Sequence, residues 1–244
     1  KPLFFSFHND QLLFASEVKA LLAAGVPASP DMNTWSRYLV SAVYDNTEDS
    51  FFGNIEQLRP GECASWSEKN GMRRRRYYDL SDYVSPTTQS VGLEEASNRV
   101  REILIDVSKM HMQADVPVGI ALSGGLDSSA LLACLDLAGE LKEQLHCYSF
   151  DFGDSLTERP WIEAAAAHHG LKSEINSFTP NQYLESIKPL MWHLEGPIGG
   201  LANCALANVF GAAQSNGIVV LQDGTGLDEA FAGYEAHHKL ALGV

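Results

Sequence analysis

The chain has 244 residues, 45% hydrophobic and 20% charged, with 20 Gly and 10 Pro, which is globular composition and excludes a disordered or fibrous protein. With 31 acidic against 17 basic residues the formal charge is −14, which disfavours a polyanion such as nucleic acid as partner. Four cysteines (Cys63, Cys134, Cys147, Cys204) without a CxxC pair exclude a zinc knuckle or dithiol centre and read as reduced thiols.

From Pro2 to Asp79 short aromatic or alternating runs lie between turns: LFFSF, HND, QLLFAS, then CASWSE, KNG and the arginines 73–76. These predict β-hairpins, interrupted by helices around Glu17 to Ala24 and Thr34 to Val40. Arg73 to Arg76 alternate between the faces of a strand, so the run predicts a solvated edge strand and not a nucleic-acid patch. Between Ser81 and Gly92 the polar stretch SDYVSPTTQSVG has linker chemistry, and the domains are expected at 1–82 and 83–244.

After the linker, Leu93, Ala96, Val100, Ile103, Leu104 and Val107 recur at helical spacing. Strands are then predicted at Val116 to Leu122, Leu145 to Phe152, Ser173 to Phe178 and Gly217 to Asp223, separated by helices over Ser128 to Leu141, Trp161 to His168 and Leu201 to Ser215. Thr179, Pro180 and Gln182 form a capping box that opens another helix, with Tyr183, Leu184, Ile187, Leu190, Met191 and Leu194 as its buried stripe. Trp161 and Trp192 are expected in the core. Strands alternating with helices imply a parallel doubly wound α/β sheet, in which ligands bind at the carboxyl ends of the strands.

Two glycine-rich turns fall at such ends. SGGLDSS (Ser123 to Ser129) joins a strand to a helix: its glycines let backbone amides turn inward, and the helix start adds unpaired N–H groups, which makes an anion cradle. Ser123, Ser128 and Ser129 add hydroxyls, whereas Asp127 would repel a phosphate unless a metal lies between them, which implies magnesium. DGTGLDEAFAGY (Asp223 to Tyr234) is the second turn, and its Asp228 is placed to share that metal. A P-loop is absent, and Glu229 stands where a dinucleotide fingerprint needs its third glycine.

DVPVGIALSGGLDSSAL with DGTGLDEAFAGY resembles the glutamine-dependent asparagine synthetases, a branch of the adenine nucleotide α-hydrolase-like ATP pyrophosphatases. KPLFFSF, LLFASEVKALL, FFGNIEQLRPGE and the phrase ending in RYYDL resemble the later half of the glutamine amidotransferase domain of the same family, an α+β N-terminal-nucleophile domain. The resemblance implies that ATP adenylates the side-chain carboxylate of aspartate and that glutamine-derived ammonia displaces AMP. It carries Ser123, Gly124, Gly125, Ser128 and Ser129 to the pyrophosphate, Asp127 and Asp228 to magnesium, and Leu122, Phe152, Asp223 and Gly224 to the surroundings of the adenosine. Thr225 stands where many members have Glu or Gln and cannot act as a carboxylate base, which leaves another acceptor open, such as a sugar acid of a surface polysaccharide.

The family's N-terminal cysteine nucleophile and a later lysine have no counterpart, so the chain is expected to be an internal piece of a longer enzyme, unable by itself to hydrolyse glutamine and poorly soluble. No apolar run reaches the roughly 18 to 20 residues of a membrane span, and the start has no signal-peptide core, so a cytoplasmic protein is expected. Two other readings remain: a non-catalytic nucleotide-binding module, and an α/β-hydrolase with Ser123, Asp228 and His237 as its triad. The pairs His168/His169 and His237/His238 are expected to be solvated and not metal-binding, because helix neighbours point about 100° apart. The segment Glu195 to Gly200 reads equally as a helix stop or as an acceptor-pocket lining.

Overall fold

The computed structural model describes residues 1–84, 91–141, 145–153 and 157–242; residues 85–90 of the predicted linker lie outside them. The chain divides into two compact units, residues 1–89 with 191–197, and residues 90–190 with 198–244.

In the first unit, β1 (Phe4–His8) and β2 (Gln11–Ala15) form a hairpin. Its two-residue turn needs positive φ at both positions, which Asn9 (49°) and Asp10 (57°) supply. Helix α1 (Val18–Ala23) follows, then α2 (Met32–Ser41), whose cap Asp31 accepts from the Thr34 N–H at 2.7 Å. The short β3 (Glu56–Gln57) completes a sheet ordered β2-β1-β3, and Val18, Leu21, Val26 and Ile55 are the core packed with it.

Strands β4 (Glu62–Ser67) and β5 (Gly71–Arg76) make a separate two-stranded sheet, so the arginine run is an exposed edge. Arg74 and Arg76, two positions apart and so on one face of β5, are both paired: Arg74 with Glu56, where it also lies 4.9 Å from the centre of the Phe5 ring, and Arg76 with Asp79. Phe7 and Phe14 are 54% and 68% exposed on the first sheet. Helix α1 has no side-chain cap of its own; the Glu195 carboxylate accepts from the Val18 and Lys19 N–H groups, each at 2.6 Å. Glu195 is thus a helix cap within the first unit.

The second unit opens with α3 (Leu93–His111). Its inward stripe is Ala96, Val100, Leu104 and Ser108, whereas Leu93, Ile103 and Val107 are exposed. Then come β6 (Val118–Ala121), α4 (Leu126–Leu137), β7 (His146–Phe150), α5 (Arg159–His168), β8 (Ser173–Asn176), α6 (Pro180–Leu194), α7 (Leu201–Ser215), β9 (Val220–Gln222), α8 (Leu227–Phe231) and α9 (Glu235–Leu242). Helix α4 starts two residues before the predicted Ser128, because Gly125 takes the extended cap position at ψ 171°.

All neighbouring strands of the sheet β8-β7-β6-β9 are parallel. Alternate side chains face opposite layers. Ile120, Leu122 and Cys147 pack with Leu132, Leu135, Ile162 and Ala166 of α4 and α5, whereas Tyr148 and Phe150 pack with Ala205, Val209 and Ala213 of α7. Each of the fully buried Leu and Ile side chains contributes about 1.5 to 3 kcal/mol of transfer free energy. The sheet is therefore doubly wound. The chain steps from β6 through β7 to β8 and then returns to the other side of β6 at β9, so the strand order reverses between β6 and β9.

The capping box of α6 forms: Thr179 N donates to Gln182 Oε1 at 2.8 Å and Gln182 N to Thr179 Oγ1 at 3.3 Å. The stripe expected to be buried is not. Tyr183, Ile187 and Leu190 are half-buried, and Leu184, Met191 and Leu194 are exposed. Trp161 and Trp192, expected in the core, are 68% and 64% exposed. Helical spacing aligns residues on a face without supplying anything to cover that face. No helix among the described residues is long and apolar enough to cross a membrane.

Candidate functional site

In a doubly wound sheet the point where the strand order reverses, here between β6 and β9, is where a ligand crevice opens at the carboxyl ends of the strands. The two glycine turns are the connections leaving those strands. A cavity of about 350 Å³ lies there within the second unit.

The first turn is shaped by its own hydroxyls. Gly124 has φ +80°, and a side-chain carbon on it would come within 3.0 Å of the Ile162 amide nitrogen, so both conformation and space require glycine. Ser123 N donates to Ser128 Oγ at 3.2 Å, Gly125 N donates to Ser123 Oγ at 3.2 Å, and the two hydroxyl oxygens are 3.0 Å apart. The Ser128 hydroxyl also donates to the Gly125 carbonyl at 3.3 Å. The first-turn amides of α4 at Leu126, Asp127 and Ser128 have no acceptor inside the helix, and its dipole favours an anion there.

The second turn is built on Asp223, whose Oδ1 accepts from the Thr225 N–H at 3.0 Å. Gly226, at φ +104°, then starts α8 and places Asp228 and Glu229 in its first turn. The two turns meet at Gly224. A side-chain carbon there would sit 2.9 Å from the Asp127 carbonyl carbon, from Asp127 Cβ and from the Ser128 amide nitrogen.

Of the residues singled out from the sequence, Leu122, Ser123, Asp127, Ser128, Phe152, Asp223, Gly224, Thr225 and Asp228 line the cavity, whereas Gly124 and Gly125 of the turn and Ser129 of α4 are not in the lining. Nothing from Glu195 to Gly200 is in the lining. The sequence reading missed Ser149, Phe150, Glu158 and Tyr234, together with the face Ala202, Ala205, Leu206 and Val209 of α7. Their i, i+3, i+4, i+7 spacing was the available signal. Ser149 is buried beneath the first turn, its hydroxyl donating to the Leu122 carbonyl and lying 2.6 Å from Ser173 Oγ. On the loop after β7, Asp151 accepts from Gly153 N and Arg159 Nε, each at 3.2 Å.

Among the described residues the lining holds Asp127, Glu158, Asp223, Asp228 and Glu229 and no Lys, Arg or His. Burial, reinforced by the negative charges of Asp228 and Glu229, pushes the Asp127 carboxyl above its ordinary range. Glu229 is held low by its own backbone amide and by the Tyr234 hydroxyl, which donates to Glu229 Oε1 at 2.9 Å. Asp127 and Asp228 thus present excess negative charge that a divalent cation would neutralise. Among the described residues no set of three or more His, Cys, Asp or Glu is arranged to hold a metal.

The hydrolase triad lacks its central contact. The Ser123 hydroxyl is engaged with Ser128 and the Gly125 amide, and His237 packs on the Tyr234 ring at 5.2 Å.

The family model described as asparagine synthase matches residues 99–243, and one described as a glutamine amidotransferase domain matches residues 1–78. The asparagine synthetase [glutamine-hydrolyzing] 1 of Bacillus subtilis is 27% identical over 98% of this chain and 37% of its own length. Amidase chry2 of Gibberella zeae is 28% identical over 99% of this chain and 37% of its own length. An NH3-dependent NAD synthetase structure from Campylobacter jejuni aligns with a TM-score of 0.38 at 15% identity, covering 56% of this chain and 60% of that one. The chain therefore spans 37% of the length of both curated relatives. The sheet is parallel and doubly wound, and the chain belongs to the asparagine synthase family.

Proposed function

We propose that the protein is an ATP-dependent amide-forming ligase of asparagine synthase type, and that the strand-end cavity is its nucleotide site. The observation that carries this reading is the packing of Gly224 on Asp127 and Ser128, which joins an amide cradle to a carboxylate pair at the sheet's reversal point. In the first step a side-chain carboxylate oxygen of aspartate attacks the α-phosphorus of ATP, the bond to the bridging oxygen breaks, and pyrophosphate leaves. In the second, ammonia derived from glutamine attacks the acyl carbon, loses a proton, and AMP departs.

In this reading the backbone of Gly124, Gly125 and the first turn of α4, with the hydroxyls of Ser123, Ser128 and Ser129, holds the pyrophosphate. Preorganised donors of this kind are typically each worth about 2 to 4 kcal/mol in the transition state. Leu122, Phe152, Asp223 and Gly224 surround the adenosine. Asp127 and Asp228 would hold magnesium; their mutual repulsion fits them for it, and two carboxylates are enough protein ligands for a cation bound together with substrate phosphates. Magnesium bound there supplies positive charge against the departing pyrophosphate.

A second reading keeps the chemistry and changes the acceptor to another carboxylate, such as a sugar acid. Thr225 in the lining favours it, since its hydroxyl supplies neither the charge nor the basicity of a carboxylate. Incubating the intact protein with Mg·ATP and aspartate carrying 18O in its side-chain carboxylate tests the first reading. Pyrophosphate release with 18O in AMP is expected; release with other carboxylates only supports the second reading, and ADP with inorganic phosphate as the products sinks both.

A further inference from the structure

The turn that follows α8 folds the chain back onto the carboxylate it has just presented. Ala232 closes α8 at φ 57°, in the left-handed region that residues with side chains seldom enter. Gly233 N then donates to the Asp228 carbonyl at 2.8 Å. Gly233 is not among the glycines at positive φ, so its conformation does not demand glycine. The space, however, is taken by the Asp228 carboxylate, whose carboxyl carbon is 2.7 Å and whose Cα is 3.1 Å from where a Cβ would stand, so a side chain there would have to displace that carboxylate. The next residue, Tyr234, secures Glu229.

From this packing we infer that Gly233 is a positioning residue for Asp228, its missing side chain leaving room for the rotamer in which that carboxylate shares the cavity with Asp127. The inference rests on the proposed role of Asp228 in holding magnesium. A methyl group at position 233 drives the carboxylate out of that rotamer, and Gly233 itself is not in the cavity lining.

The test is a calorimetric titration of ATP into the intact protein at a series of magnesium concentrations. It compares wild type, Gly233→Ala, Asp228→Ala and the double variant, with circular dichroism and thermal melting on each. Gly233→Ala is expected to raise the magnesium concentration for half-maximal binding by about tenfold, equivalent to about 1.4 kcal/mol. In the Asp228→Ala background it should add nothing, since the group it displaces is gone. The control Ala232→Gly relieves the left-handed residue and should leave the magnesium dependence unchanged.

If Asp228→Ala loses magnesium dependence and Gly233→Ala keeps it, the positioning role alone is overturned. If Asp228→Ala keeps it, the metal role falls and the inference with it. Should Gly233→Ala fail to fold, recovery of folding in the double variant supports the contact, and no recovery overturns it.

Discussion

Gly224 rests on the backbone of Asp127, with 2.9 Å between the Asp127 carbonyl carbon and the point where a side chain on Gly224 would begin. This contact fixes the turn after β9 to the first turn of α4, and with it the separation of the acids each turn presents. Gly224→Ala should force the turns apart, costing about 1 to 3 kcal/mol of stability and weakening Mg·ATP binding at least about tenfold. Urea denaturation and calorimetry on the same variant measure both effects; wild-type binding would show that the turns need not touch.

Asp127 is predicted to trade stability for function. Its folded-state pKa lies above the unfolded value of about 3.9, because burial and the charges of Asp228 and Glu229 oppose ionisation. The resulting penalty is absent below the unfolded value, grows as pH rises, and is complete above the folded value. At pH 7 Asp127→Asn should therefore stabilise the ligand-free protein, by roughly 0.5 to 1 kcal/mol, while abolishing magnesium-dependent ATP binding. The stabilisation should vanish in acid. Thermal melts of both proteins from pH 3 to 8 check the sign, and a destabilised variant at pH 7 would refute the charge argument.

Asp31 behaves in the opposite way. The Thr34 N–H holds its carboxyl below the ordinary range, so its capping contribution is present above the unfolded value of about 3.9 and lost as pH falls through the folded one. Asp31→Ala should cost about 1 kcal/mol at neutral pH, a difference that shrinks in acid. Equilibrium denaturation at pH 7 and at low pH measures it.

The thiols report on the core. Burial pushes the Cys147 thiol up to about 11, and Cys134 and Cys204 are buried too, whereas Cys63 is half-buried. At pH 8 a thiol-alkylating reagent should modify Cys63 first in the native protein, with the other three reacting only on unfolding. Mass spectrometry of a time course decides this; early labelling of Cys147 would contradict the packing of β7.

What was legible in the sequence is what local chemistry determines. Asn9 and Asp10 mark the first hairpin turn, Thr179 and Gln182 the start of α6, and the change from helical spacing to the apolar run near Ile120 marks β6. The two glycine turns were legible as strand-to-helix connections, and the parallel sheet makes them neighbours through β6 and β9. What was not legible depends on what covers a face. Trp161, Trp192 and the stripe of α6 have core composition but lie exposed or half-buried, and the stripe Ala202, Ala205, Leu206 and Val209 of α7 is visible as helical spacing, which does not by itself tell a cavity wall from a packed face. Glu195 caps a helix that begins 177 positions earlier, at Val18, a pairing no local pattern predicts.

The most direct test of the account is a titration of ATP into the protein by calorimetry, with magnesium and with EDTA, beside Asp127→Asn, with circular dichroism confirming the fold of each sample. Saturable binding that requires magnesium and is lost in the variant is the predicted result. A folded wild-type protein that takes up no nucleotide, or binds it equally well without magnesium and without the Asp127 carboxylate, would contradict the assignment of the two glycine turns as an ATP site.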